Sequence, residues 1–109
     1  MLNQVVLVGR LVKDAEILNV SEDKKKLSIV LAVPRSFKNS NGIYETDFIR
    51  CTLWNGIASR TKEYCHAGDL IGIKGRIATN NYTKEDGTTQ YVTEVVAEKV
   101  TFLTSKSEN

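Results

Sequence analysis

The segment Asp47 to Trp54, DFIRCTLW, sets two aromatics and an arginine at alternate positions. In a strand, successive side chains point to opposite faces. Asp47, Ile49, Cys51 and Leu53 then share one face, and Phe48, Arg50, Thr52 and Trp54 the other. The first set is a core face, which leaves Phe48 and Trp54 on the side the core does not claim. Phe37 in PRSFKN and Tyr82 in TNNYTK also stand among polar or basic neighbours. A large ring left in water forgoes burial of ~150 to 250 Å² at ~25 cal/mol per Å², so a partner should compensate. A nucleobase stacked on the ring returns roughly 1 to 3 kcal/mol whichever base it is, and the phosphates between bases need cations. Arg10, Arg35, Lys38, Arg50, Lys62, Lys74, Arg76 and Lys84 are distributed through the same segments. Interleaved aromatics and cations on a sheet suit a single-stranded nucleic acid. By itself the pattern leaves DNA, RNA and a docked peptide all open. Tyr44, Tyr64, Tyr91 and Phe102 are assigned to the core or to interfaces.

Covalent chemistry has less to work with. Cys51 falls on an inward strand position and Cys65 on a helix, without the paired spacing of a zinc site; both read as buried, reduced thiols. His66, the only histidine, follows Cys65 directly, but adjacent helical residues point in different directions and no second base is in view. No carboxylate pair, metal cluster or activated nucleophile has usable spacing. An enzyme is therefore not expected, nor a catalytic residue, a metal or a cofactor.

Several elements must position the aromatics. A first strand is expected from Asn3 to Lys13, rich in β-branched residues, with Gly9 marking a bulge or a close backbone approach. A second, KLSIVLAVPRSF, alternates Leu27, Ile29, Leu31 and Val33 inward and should end or meet an edge at Pro34, the only proline. Lys38 to Ile43 is a turn of Asn, Ser and Gly, and YETDFIRCTLW is the third strand. After Trp54 the period changes: Ile57, Ala58, Thr61, Tyr64 and Cys65 recur at helical spacing, with Asn55 as cap and Gly68 closing the end. DLIGIKGRIAT resumes alternation, with Ile71, Ile73 and Ile77 on one face and Lys74 and Arg76 on the other. Asp86-Gly87 marks a hairpin tip, and YVTEVVAEKVTFL is the last strand. Three strands, a helix and two strands is the order of the OB-fold, an all-β class: a five-stranded barrel with one α-helix between strands 3 and 4, which binds oligonucleotides or oligosaccharides on one face.

The chain of 109 residues is the size of one domain. Its formal charge of +2 is too small to prove a nucleic-acid partner. No apolar run approaches the roughly 20 residues that span a bilayer, and the N-terminus lacks a signal peptide's basic start and cleavage site. No membrane partner and a cytoplasmic location are expected.

The segments NQVVLVGRLVKDAE, LAVPRSFKN, TDFIRCTLWNGIA, GDLIGIKGRI, NYTKEDG and YVTEVVAEKV, in that order, make the chain similar to the bacterial single-stranded DNA-binding protein family, from about Asn3 to Leu103. The resemblance implies an OB-fold domain over 1-103, with 104-109 a short polar tail expected to be disordered. It implies sequence-independent binding and protection of single-stranded DNA in replication, recombination, repair or DNA uptake, in the cytoplasm with the nucleoid. Its stacking positions match Phe37, Phe48, Trp54 and Tyr82, its backbone-following cations match Arg10, Arg35 and Arg50 best, and no metal or cofactor is implied. It also implies a homotetramer, assembled partly through the first strand. Two departures are visible. Ala78, Asn80, Asn81 and Ala67 stand where the family often has cations, and each missing phosphate contact lowers the salt slope by roughly 0.7. The C-terminal SKSEN has only Glu108 acidic, so recruitment of other repair proteins through an acidic tip is not expected of this chain.

Overall fold

The computed structural model describes residues 1–14, 16–21 and 23–103. Six strands and one helix follow in the order β1 (Val5–Leu11), β2 (Glu16–Ser21), β3 (Lys24–Lys38), β4 (Tyr44–Trp54), α1 (Asn55–Tyr64), β5 (Leu70–Thr83) and β6 (Thr89–Phe102). Five of them close into a ring: β1 pairs with β5, β5 with β6, β6 with β4, β4 with β3, and β3 returns to β1. This is the expected five-stranded barrel with its helix after the third barrel strand. The additional strand, β2, pairs only with the start of β3, Glu16 opposite Ser28. Sequence pattern missed it because EILNVS sets Ile17 and Leu18 side by side and so lacks the alternation that marks a half-buried strand.

The barrel closes because alternate residues are apolar. Leu27, Ile29 and Leu31 of β3, Cys51 and Leu53 of β4, Ile71 and Ile73 of β5, and Val95 and Ala97 of β6 form one buried cluster with Leu11, Ala58 and Cys65. Two glycines let strands approach: a Cβ on Gly9 would lie 2.7 Å from the Ala32 carbonyl oxygen, and one on Gly75 would collide with the Val96 carbonyl. Gly75 adjoins a bulge between Lys74 and Gly75. Beyond it β5 leaves the barrel as an arm, so Ile77, expected inside with Ile71 and Ile73, is exposed.

Connections follow local chemistry. Asn39 Oδ1 accepts the Asn41 and Ile43 N–H groups, and Gly42 takes φ 76 in the β3–β4 turn. Asp86 Oδ1 accepts from the Thr88 N–H while Gly87 takes φ 87 at the β5–β6 tip. Pro34 stays paired opposite Thr46, and the β3–β4 register shifts just after it. The helix departs from expectation at both ends. Asn55 does not cap it: its Oδ1 accepts the Lys25 N–H at 3.2 Å, and its backbone takes φ 52, a left-handed turn that asparagine tolerates. Gly68 does not close it either, because α1 ends at Tyr64, the Cys65 N–H donates to the Thr61 carbonyl, and Gly68 (φ 91) turns the chain back so that its N–H reaches the Leu11 carbonyl at 2.7 Å.

The expectation for the 104-109 tail lies outside the described residues.

Candidate nucleic-acid interface

Register decides which side chains share a face. On β3 and β4, Lys26 stands opposite Trp54, Val30 opposite Arg50 and Ala32 opposite Phe48, and Arg10 of β1 is opposite Ala32. Residues directly opposite lie on the same side of a sheet. Arg10, Phe48, Arg50 and Trp54 therefore share the outer side of the barrel. The β5–β6 arm joins that side through Glu94. Its carboxylate accepts a hydrogen bond from the Thr52 hydroxyl at 2.8 Å and another from Asn80 Nδ2 at 2.6 Å. Thr52, Glu94 and Asn80 thus form a bridge across three strands. Tyr82, two residues beyond Asn80, falls on the same side of the arm and pairs with Gln90.

The exposures fit a platform. Phe48 is 67% exposed, Phe37 63% and Tyr82 47%. Trp54 is half-buried, with Lys26 Nζ 5.8 Å from its ring centre. Six residues of strand separate Phe48 from Trp54, about 20 Å at ~3.3 Å per residue. Phe37 follows the register shift at the end of β3, next to Lys38, whose Nζ lies 5.6 Å from the Tyr44 ring.

Among the expected cations, the structure distinguishes three situations. Arg50 stands between Phe48 and Trp54 with no ion-pair partner among the described residues. Arg10 shares the platform side, but its Nη1 donates to the Gly68 carbonyl at 2.9 Å. Arg35 is claimed by two carboxylates, donating to Asp47 at 2.9 Å and to Glu45 at 2.5 Å. That hydrogen bonding holds the Asp47 carboxyl below its ordinary range and raises Arg35. Arg76 lies on the outer side of β5 opposite Val96, and Lys84 is at the arm's tip. Lys74 is opposite Lys99, and Lys62 is exposed in the last turn of α1.

Of the two places expected for Tyr44, Tyr64, Tyr91 and Phe102, core or interface, the core does not hold them: Tyr91 is 72% exposed, Tyr44 and Tyr64 are exposed, and Phe102 is at the surface with its ring 5.9 Å from that of Tyr64. Small apolar residues already fill this barrel. Thr52, on the outer side by alternation, is nevertheless buried under Glu94. Glu94 is the residue that alternation missed, its one signal being a lone acid inside the apolar run VTEVVA. Both thiols are buried and free as read, although Cys65 stands just past the end of α1 rather than on it. Burial pushes Cys51 up to about 12, with Glu94 adding to it, and pushes Cys65 up to about 11.

A closed five-stranded barrel with an exposed aromatic row and cations on one side belongs to the class of OB-fold barrels that bind extended ligands on a sheet face. Comparison with known proteins narrows this. Residues 2–103 match the single-strand binding protein family. The chain is 47% identical over 106 residues to Single-stranded DNA-binding protein B of Bacillus subtilis, covering 97% of this chain and 94% of that one. It is 46% identical to Single-stranded DNA-binding protein 3 of Listeria innocua, covering 97% and 66%. It is 41% identical to the Single-stranded DNA-binding protein of Lactiplantibacillus plantarum, of which it spans about half, 54%. The chain belongs to the single-strand binding protein family.

Proposed function

We propose that the protein binds and protects single-stranded DNA without regard to sequence, as a non-enzymatic component of replication, recombination, repair or DNA uptake. The observation that carries this is the shared side of Phe48, Arg50, Trp54 and Tyr82, linked across three strands by Thr52, Glu94 and Asn80. Bases stack on Phe37, Phe48, Trp54 and Tyr82. Arg50 holds phosphate directly, and Arg10, Lys38, Arg76 and Lys84 flank the path. Stacking tolerates every base because each has a π-face, and phosphate contacts carry no sequence information.

A homotetramer is supported by the apolar outer side of β1, where Val6 is 69% and Val8 50% exposed. Such a patch is normally covered by a partner, here a second copy. Among the described residues no helix is long and apolar enough to cross a membrane. We place the protein in the cytoplasm with the nucleoid, a reading supported by two free, buried cysteines and by the chromosome as the source of single strands. Residues 1-103 act as one binding domain.

Trp54, the only tryptophan, supplies the test. Its emission should be quenched by oligo(dT), with affinity falling as salt rises. Unchanged emission and mobility at saturating oligonucleotide and low salt would refute the proposal. Binding with no salt dependence would instead indicate a docked peptide, and equal competition by RNA would remove the preference for DNA.

A further inference from the structure

A cavity of about 240 Å³ lies between the helix and the last strand, bordered by Ile57, Arg60 and Thr61 of α1 and by Glu98, Lys99 and Phe102 of β6. Three features of it are unexplained by the barrel. Thr61 is fully buried, yet its Oγ1 has no hydrogen-bond partner, where buried polar atoms nearly always have one. Lys99 stands directly opposite Lys74 across the β5–β6 ladder, an arrangement of like charges that works against the sheet. Arg60 adds a further cation at the rim, and none of the three has an ion-pair partner among the described residues.

The cavity follows the aromatic row along the chain. β4 and β6 run parallel with Thr52 opposite Val96, two residues before Trp54 on one strand and two before Glu98 of the cavity lining on the other. The helix begins at the next residue, Asn55, and Arg60 is about 9 Å along its axis from Trp54 at ~1.5 Å per residue. A volume below the ~300 Å³ at which drug-sized sites begin suits one flat ring and excludes a folded peptide segment.

We propose that this cavity is an additional nucleotide subsite, which takes one base of a DNA strand that has passed over Trp54. Phe102 and Ile57 wall the base, the Thr61 hydroxyl meets its polar edge, the Glu98 carboxylate accepts from a base N–H (the ring N–H of thymine or an exocyclic amine of another base), and Arg60 with Lys99 holds the neighbouring phosphate. The strand path then continues around the barrel from sheet to helix. The inference rests on the single-stranded DNA reading above.

Titration of oligo(dT) from 4 to 16 nucleotides, the range of site sizes for one OB barrel, separates the two. The wild type is compared with the Arg60→Glu, Lys99→Glu double variant and with Phe102→Ala, which alters no charge. For short strands that fill only the aromatic row, the three proteins should bind alike. As the strand lengthens, both variants should fall behind the wild type, by about fivefold or more for one lost stacked base with its phosphate. Curves that coincide at every length overturn the subsite. So does a constant ratio at every length, which is general electrostatics or altered packing. A wild type that binds no strand at any length refutes the DNA reading itself.

Discussion

Thr61→Val should stabilise the protein. The substitution keeps β-branching and nearly the same shape, and valine and threonine have similar helix propensities, so the main change is loss of one buried hydroxyl. That hydroxyl is fully buried without a partner. An unsatisfied buried polar group costs about 1 to 3 kcal/mol, and the variant should recover at least ~1 kcal/mol of it. For a domain of this size, ~1 kcal/mol raises the melting temperature by about 4 to 8 °C. The assay is thermal unfolding followed by circular dichroism, at one fixed protein concentration because self-association moves the midpoint. An unchanged or lowered midpoint would refute the reasoning, since it would mean that the hydroxyl already satisfies its hydrogen bond in the free protein. If the cavity takes a base, the same variant should lose part of the affinity gained on lengthening the strand: stability exchanged for function, as at many sites.

Four further outcomes follow from the geometry. Glu45→Gln with Asp47→Asn releases Arg35 from its two carboxylates, so DNA affinity should rise and the salt slope steepen by roughly 0.7 for one added phosphate contact. The same pair sets an acid limb: because Arg35 hydrogen bonding depresses the Asp47 carboxyl in the folded state, its stabilisation is complete above the ordinary carboxylate pKa. It is lost as pH falls through the depressed folded value, and the double variant should lack that limb in denaturant titrations across acid pH. Both thiols should resist alkylation at neutral pH in the folded protein and react only in denaturant, since Cys51 and Cys65 are buried and pushed to about 12 and about 11; rapid native labelling would contradict this. Gly75→Ala should destabilise by about 1 to 3 kcal/mol, read from the urea midpoint, because its Cβ would meet the Val96 carbonyl.

Alternation alone determined a great deal of this protein. It placed Leu27, Ile29, Leu31, Cys51 and Leu53 inside and Phe48, Arg50 and Trp54 outside, because a strand's period of two is a local property of the backbone. The change of period after Trp54 located the helix, and Asn, Gly and Asp located the turns. What depended on strands distant in sequence was not legible. A carboxylate from β6 buries Thr52 and fixes Asn80, so one outer position is sealed and the arm carrying Tyr82 is tied to β4. Arg35 reads as a free cation until the hairpin folds Glu45 and Asp47 against it. Ile77 reads as core until the bulge at Gly75 carries the strand out of the barrel. The cavity beside Thr61 exists only where the helix meets β6. A residue's face is set by its neighbours in the chain, whereas its hydrogen bonds, charge partners and free space are set by which strands the closed barrel brings together.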